Sequence, residues 1–192
     1  MPPTEVDRRF WRSVDGSKAG LLRQKEVKTG ARYEDRPVGP EGKAPNQSLD
    51  RHISPAYRAD LPTGPEAMRD WLYQDTDHGA AGTDATAWTK IGDTLREQYV
   101  TPASQAAMFE AAATIPGTTL VRQADLAGRK GSAVSRPFGT TRYEYIFDTR
   151  TYDYLGERAV QVGDRPPVPN GAVVGWTAQV RVAIVDRAGQ LP

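Results

Sequence analysis

The sequence predicts an α+β protein: a curved, half-barrel-like antiparallel sheet with a block of about three helices packed on one face. Three observations predict it. Apolar residues recur with period two near the N-terminus, at helical spacing through the middle, and with period two again after Gly117. Proline and glycine punctuate each change of period. The helices come as one block between runs of strands, which gives the order ββ, long loop, ααα, then five strands. The whole of 1–192 reads as one domain, with a hairpin at 4–28, a long loop at 29–62, a helical block at 63–116 and a meander at 118–186.

The first strand lies in TEVDRRFWRSV, where spacing puts Val6, Phe10 and Val14 on one face and Trp11 on the other. Asp15-Gly16 is a turn signal, and AGLLRQKEV reads as the return strand. Residues 29–62 are dense in Pro, Gly and charge, as expected of a long loop that is functional or partly disordered. Asn46-Gln47-Ser48 has the form of a glycosylation acceptor, a match that chance also produces.

Thr63-Gly64-Pro65-Glu66 has capping-box spacing ahead of a stripe of Met68, Trp71 and Leu72. A second helix is expected over about 85–99, with Trp88, Ile91 and Leu95 on one side. Thr101-Pro102 restarts the chain as cap and first helical residue. Ala107, Met108, Ala111, Ala112 and Ile115 form the third buried stripe before Pro116-Gly117 ends it.

TTLVRQADL and SAVSRPF then flank a Gly-bracketed turn at 127–131. TRYEYIFD and YDYLGERAVQV flank Thr149-Arg150-Thr151. AVVGWTAQVRVAIVD has the cleanest alternation, placing Val174, Trp176, Ala178, Val180, Val182 and Ile184 on one face of a long last strand.

Composition bounds the chemistry. A net charge of +1 gives no electrostatic footprint for nucleic acid or a membrane surface. With no cysteine, disulfides, thiolate catalysis and Cys-ligated metals are excluded. No apolar run reaches the ~18 residues of a membrane helix, and Met1-Pro2-Pro3-Thr4 does not open a signal peptide.

Taken together, VDGSKAGLLR, the block ending in ATIPGTTLV, the turn IFDTRTYDYLGER and the terminal GAVVGWTAQVRVAIVD resemble the extracytoplasmic domain of actinobacterial membrane-anchored, sigma-factor-associated proteins. More distantly, the arrangement is similar to the LolA/RseB-like lipoprotein-carrier and sensor fold. The resemblance implies an extracytoplasmic placement, a membrane segment outside this chain, and an edge at 4–14 covered by a missing N-terminal portion or a second copy. In the turn, that family shows Pro after the Asp and Gly after the Thr, where this chain has Thr149 and Tyr152.

One set of candidate binding residues is aromatic: Tyr143, Tyr145, Phe147, Tyr152, Tyr154 and Trp176. They suit an apolar or lipidated ligand on a concave sheet, and equally a core packed on Trp71, Trp88 and Met108. Arg32, Tyr33, Arg36, Arg51, Tyr57 and Arg58 form a second set, interleaving the residue types that anchor protein interfaces with what is otherwise a solvated loop. His52 and His78, beside Asp50 and Asp77, are the one acid/base pairing to consider. Asp70, Asp75, Glu97 and Glu110 sit at helical or loop positions with no fixed convergence, and no metal set or cofactor motif is present. Gly128-Arg129-Lys130-Gly131-Ser132 lacks P-loop spacing. The expectation is a non-catalytic ligand-binding or sensing domain. The alternatives are a protein-interaction module, partnered by an anti-sigma protein or by itself, and an enzyme using a loop His/Asp pair.

Overall fold

A computed structural model of the chain describes residues 4–38, 55–74 and 82–192. The architecture is α+β, with a three-stranded and a five-stranded antiparallel sheet and three helices, and neither sheet closes into a barrel. Where the sequence suggests one domain, contacts gather into two compact units: residues 1–58 with 182–192, and residues 59–181.

In the first unit, β1 (Val6–Trp11), β2 (Gly20–Glu26) and β3 (Glu34–Val38) pair in that order. The β1–β2 turn is built by Asp15, whose carboxylate accepts from the Ser13 hydroxyl at 2.6 Å, the Ser17 hydroxyl at 2.7 Å and the Ser17 amide at 3.0 Å. Gly16 supplies the positive φ of 76°.

One expectation is corrected here. The 29–62 loop contains β3, which tolerates Pro37 as an edge strand whose outer side has no ladder partner among the described residues. The alternation expected of β1 is present: Val6, Arg8 and Phe10 are exposed on one face, while Asp7, Arg9 and Trp11 are half-buried on the other. None of residues 4–38 is fully buried, so among the described residues this sheet has no apolar core to claim the valine and phenylalanine. Polar contacts hold the sheet instead. Arg23 grips Asp35 through two bonds of 2.6 Å, and Tyr33 donates to Asp7 at 2.6 Å. Arg9 and Lys25 lie over the Tyr33 ring at 4.9 and 4.7 Å, and the Trp11 indole donates to the Gln190 carbonyl at 2.8 Å.

The second unit carries a true core. Helices α1 (Pro65–Tyr73), α2 (Thr83–Glu97) and α3 (Pro102–Ala113) precede β4 (Thr119–Leu126), β5 (Arg129–Phe138), β6 (Thr141–Asp148), β7 (Tyr154–Gln161) and β8 (Val173–Ala178), paired in chain order. Thr101 caps α3 by accepting the Ser104 amide at 3.3 Å. The Thr63 capping box is not formed: Gly64 is the N-cap of α1, without a side-chain bond, and Pro65 opens the helix. Met68, Leu72, Ile91, Leu95, Met108, Ala112 and Ile115 bury against Val134, Tyr145, Phe147 and Tyr154 of the sheet. On the other face Ala124, Leu126, Ala133, Ile146 and Leu155 make a smaller cluster.

The β4–β5 connection is tighter than the expected turn at 127–131. Ala127 and Gly128, at φ 49° and 76°, make it alone, and Arg129 already lies in β5. The last strand stops at Ala178, so Val180, Val182 and Ile184 continue the alternation without a ladder and stay exposed.

Candidate functional site

Strand alternation decides which side chains α2 covers. Tyr145 stacks on Trp88 with ring centroids 4.5 Å apart, and its hydroxyl donates to the Trp88 carbonyl at 3.2 Å. The ring lies against the helix because Gly92 presents no Cβ; one placed there would collide with the Tyr145 hydroxyl. Two residues back on the same face is Tyr143. Its row runs across four strands: Arg136, Tyr143, Ala159 and Gly175 are successive register partners. The last two are small, and a Cβ on Gly175 would meet only the Ala159 methyl, at 3.9 Å.

The row therefore leaves a hollow beside α2, a groove of about 490 Å³. Ala85, Trp88, Thr89 and Arg96 wall it from the helix, and Phe138 and Tyr143 stand at its mouth, 64% and 43% exposed. Glu144, Arg158 and Trp176 also border it, but they occupy the intervening positions, which alternate to the sheet's other face.

One end of the groove is closed by charge. Arg96 bonds Glu157 at 2.7 Å and Asp93 at 2.6 Å. Beneath it, burial pushes the Tyr145 and Tyr154 hydroxyls well above the usual tyrosine range, and the Glu157 carboxylate adds to both shifts, so each stays a neutral hydroxyl. The Tyr154 hydroxyl is buried with no hydrogen-bond partner among the described residues. At the other end stands Arg136, half-buried, whose Nε donates to the Pro116 carbonyl at 3.4 Å.

On the opposite face, Glu144 is wholly buried between two arginines. Arg142 binds one carboxylate oxygen at 2.9 and 2.7 Å, and Arg158 binds the other at 2.8 and 2.6 Å.

The aromatic set thus divides. Tyr143 stands in the groove and Tyr145 forms its floor. Phe147 and Tyr154, 1% and 6% exposed, are packed under the helices, so protein and not a ligand covers them. Tyr152 sits in the β6–β7 turn at φ 59°, where the resembling family has its glycine, and its ring rests 5.4 Å from that of Phe109. Trp176 is 46% exposed at the β8 edge.

The arginine–tyrosine set does not form one cluster of loop residues. Tyr33 is tied to Asp7, whose carboxyl that bond holds below its ordinary range. Arg36 belongs to β3 beside Glu34, Tyr57 bonds the Val14 carbonyl through its amide at 3.2 Å, and Arg32 is exposed while Arg58 is half-buried. Arg51, His52, His78, Asp50, Asp75, Asp77 and Asn46-Gln47-Ser48 lie outside the described residues. Asp70, Glu97 and Glu110 are exposed. Among the described residues no three His, Cys, Asp or Glu groups gather as metal ligands, and no helix is long and apolar enough to cross a membrane.

Arg136, Phe138, Ala159 and Gly175 were not legible as site residues. The signal that finds them is the pairing of two small residues opposite Tyr143, which requires the register. No protein-family model, curated protein or solved structure matches the chain. The resemblance to the sigma-factor-associated domains and the LolA/RseB-like fold therefore rests on the quoted residues alone.

Proposed function

We propose that residues 59–181 bind a small apolar or amphipathic molecule in the groove between α2 and the sheet, as a non-catalytic binding or sensing unit. One observation carries this: Phe138 and Tyr143 stay exposed around a hollow that Ala159 and Gly175 leave unfilled, although either small residue could have been a larger strand former. Burial of apolar ligand surface, at roughly 25 cal/mol per Å², is the driving force. The acidic and tyrosyl groups beside the groove serve structure in this proposal: Glu157 is committed to Arg96, and the Tyr145 hydroxyl to the Trp88 carbonyl. The extracytoplasmic placement implied by the resemblance belongs to the same proposal.

The test is native mass spectrometry of the purified chain and of Gly175→Leu, followed by denaturing analysis. A non-covalent adduct lost on denaturation and missing from the variant supports the groove as its seat. An adduct that persists in Gly175→Leu overturns that assignment.

A second role, docking of a protein partner or another copy, has its own support. β1 and β8 are sheet edges, and the apolar residues Val6, Phe10, Val180 and Ile184 are exposed on them or next to them in sequence. Sedimentation across a concentration series tests it, with a purely monomeric chain counting against self-association.

A further inference from the structure

We infer that the groove selects a ligand with an anionic head, which Arg136 holds at the β5 end while the apolar body runs toward Trp88. The inference rests on the ligand-binding proposal above and adds charge and direction to it.

Charges on the groove face lie at two places. At the α2 end, Arg96 is shared by Asp93 at 2.6 Å and Glu157 at 2.7 Å, so two carboxylates meet one guanidinium. That end carries one negative charge in excess and repels an anion. At the β5 end, Arg136 has no carboxylate partner among the described residues, and its single bond, to Pro116, is long at 3.4 Å. Asp84, in the first turn of α2, accepts the Tyr73 hydroxyl at 2.7 Å instead of pairing with Arg136. Across the strand Arg136 faces Tyr143, and Phe138 follows two residues on along the same face.

A half-buried guanidinium beside aromatic rings is weakly hydrated and keeps its planar fork of donors, which matches a carboxylate. Among the described residues the groove face is therefore polarised, with the cation that has no carboxylate partner beside Phe138 and Tyr143. A neutral apolar ligand would leave that cation without a partner, and a cationic ligand would face it directly.

Calorimetric titration of the full chain with decanoate, decanol and decyltrimethylammonium, each below its critical micelle concentration, tests this. Decanoate is expected to bind about tenfold or more tighter than decanol, as a charge-assisted hydrogen bond predicts, with the cation weakest. Arg136→Gln should erase the preference, weakening decanoate about tenfold or more relative to decanol. Should that variant fail to fold, ionic strength serves the same end, since salt should weaken decanoate and spare decanol. Equal affinity for decanoate and decanol in the unaltered chain, or a preference that survives both Arg136→Gln and salt, overturns the inference while leaving the binding proposal standing. Failure of all three probes to bind removes both.

Discussion

Gly92→Ala gives a sharp test of how α2 meets the sheet. In an exposed helix interior this change stabilises by about 1 kcal/mol, because glycine is the poorer helix former. Here the added methyl would overlap the Tyr145 hydroxyl and approach its Cζ and the Arg96 Nη1 to 2.9 Å. The tyrosine cannot simply swing aside, since its ring is stacked on Trp88 and its hydroxyl is bonded to the Trp88 carbonyl. Overpacking of this kind costs about 1–3 kcal/mol. Losing the hydroxyl bond costs about 1 kcal/mol more. The propensity gain offsets only part of this, so the expected net loss is about 1–3 kcal/mol. Urea unfolding followed by tryptophan fluorescence measures it, because Trp88 reports on the same contact. In a Tyr145→Phe background the penalty should shrink, as the atom that collides most is gone, without vanishing, since Cζ remains. If Gly92→Ala stabilised the unaltered protein by about 1 kcal/mol, the ring would not lie against the helix, and Tyr145 would not form the groove floor.

Tyr154→Phe should be neutral or stabilising by up to about 1 kcal/mol in the same assay, because it removes a buried hydroxyl that has no partner among the described residues, whereas Tyr145→Phe should cost stability. Glu144→Ala should cost about 3 kcal/mol by leaving Arg142 and Arg158 facing each other across the vacated site, and a loss below 1 kcal/mol would count against a tightly held triad. Thr101→Ala should cost about 1 kcal/mol through the α3 cap, while Thr101→Ser should not. Asp148 gives a pH dependence: the amides of Arg150 and then Thr151 hold its carboxyl below the ordinary value, so its contribution is present above about pH 3.9 and is lost as pH falls through the lower folded value. Chemical denaturation between pH 6 and 2 should show a shallower acid decline for Asp148→Asn, and an unchanged decline would exclude this group.

The elements were largely legible because each is written in its own period. Met68 and Leu72, Ile91 and Leu95, and Met108 and Ala112 are helical stripes that reach the core the spacing assigns them. Faces were less legible, for a physical reason. Period two says that Val6 and Phe10 differ from Trp11, but which side turns inward depends on whether an apolar partner exists, and among the described residues the small sheet buries none. The same limit applies to TRYEYIFD, where one alternating face serves as core at Tyr145 and Phe147 and as groove at Tyr143. What separates them lies in other strands and in α2: Trp88 covers Tyr145, and Phe109 packs on Phe147 at 5.3 Å, while Ala159 and Gly175 stand beside Tyr143. A cavity is an absence of side-chain volume at positions brought together by register, and no local window of sequence contains that register. Gly175 looks like a flaw in the cleanest strand of the chain. In the sheet, it is the residue whose missing side chain leaves the groove open.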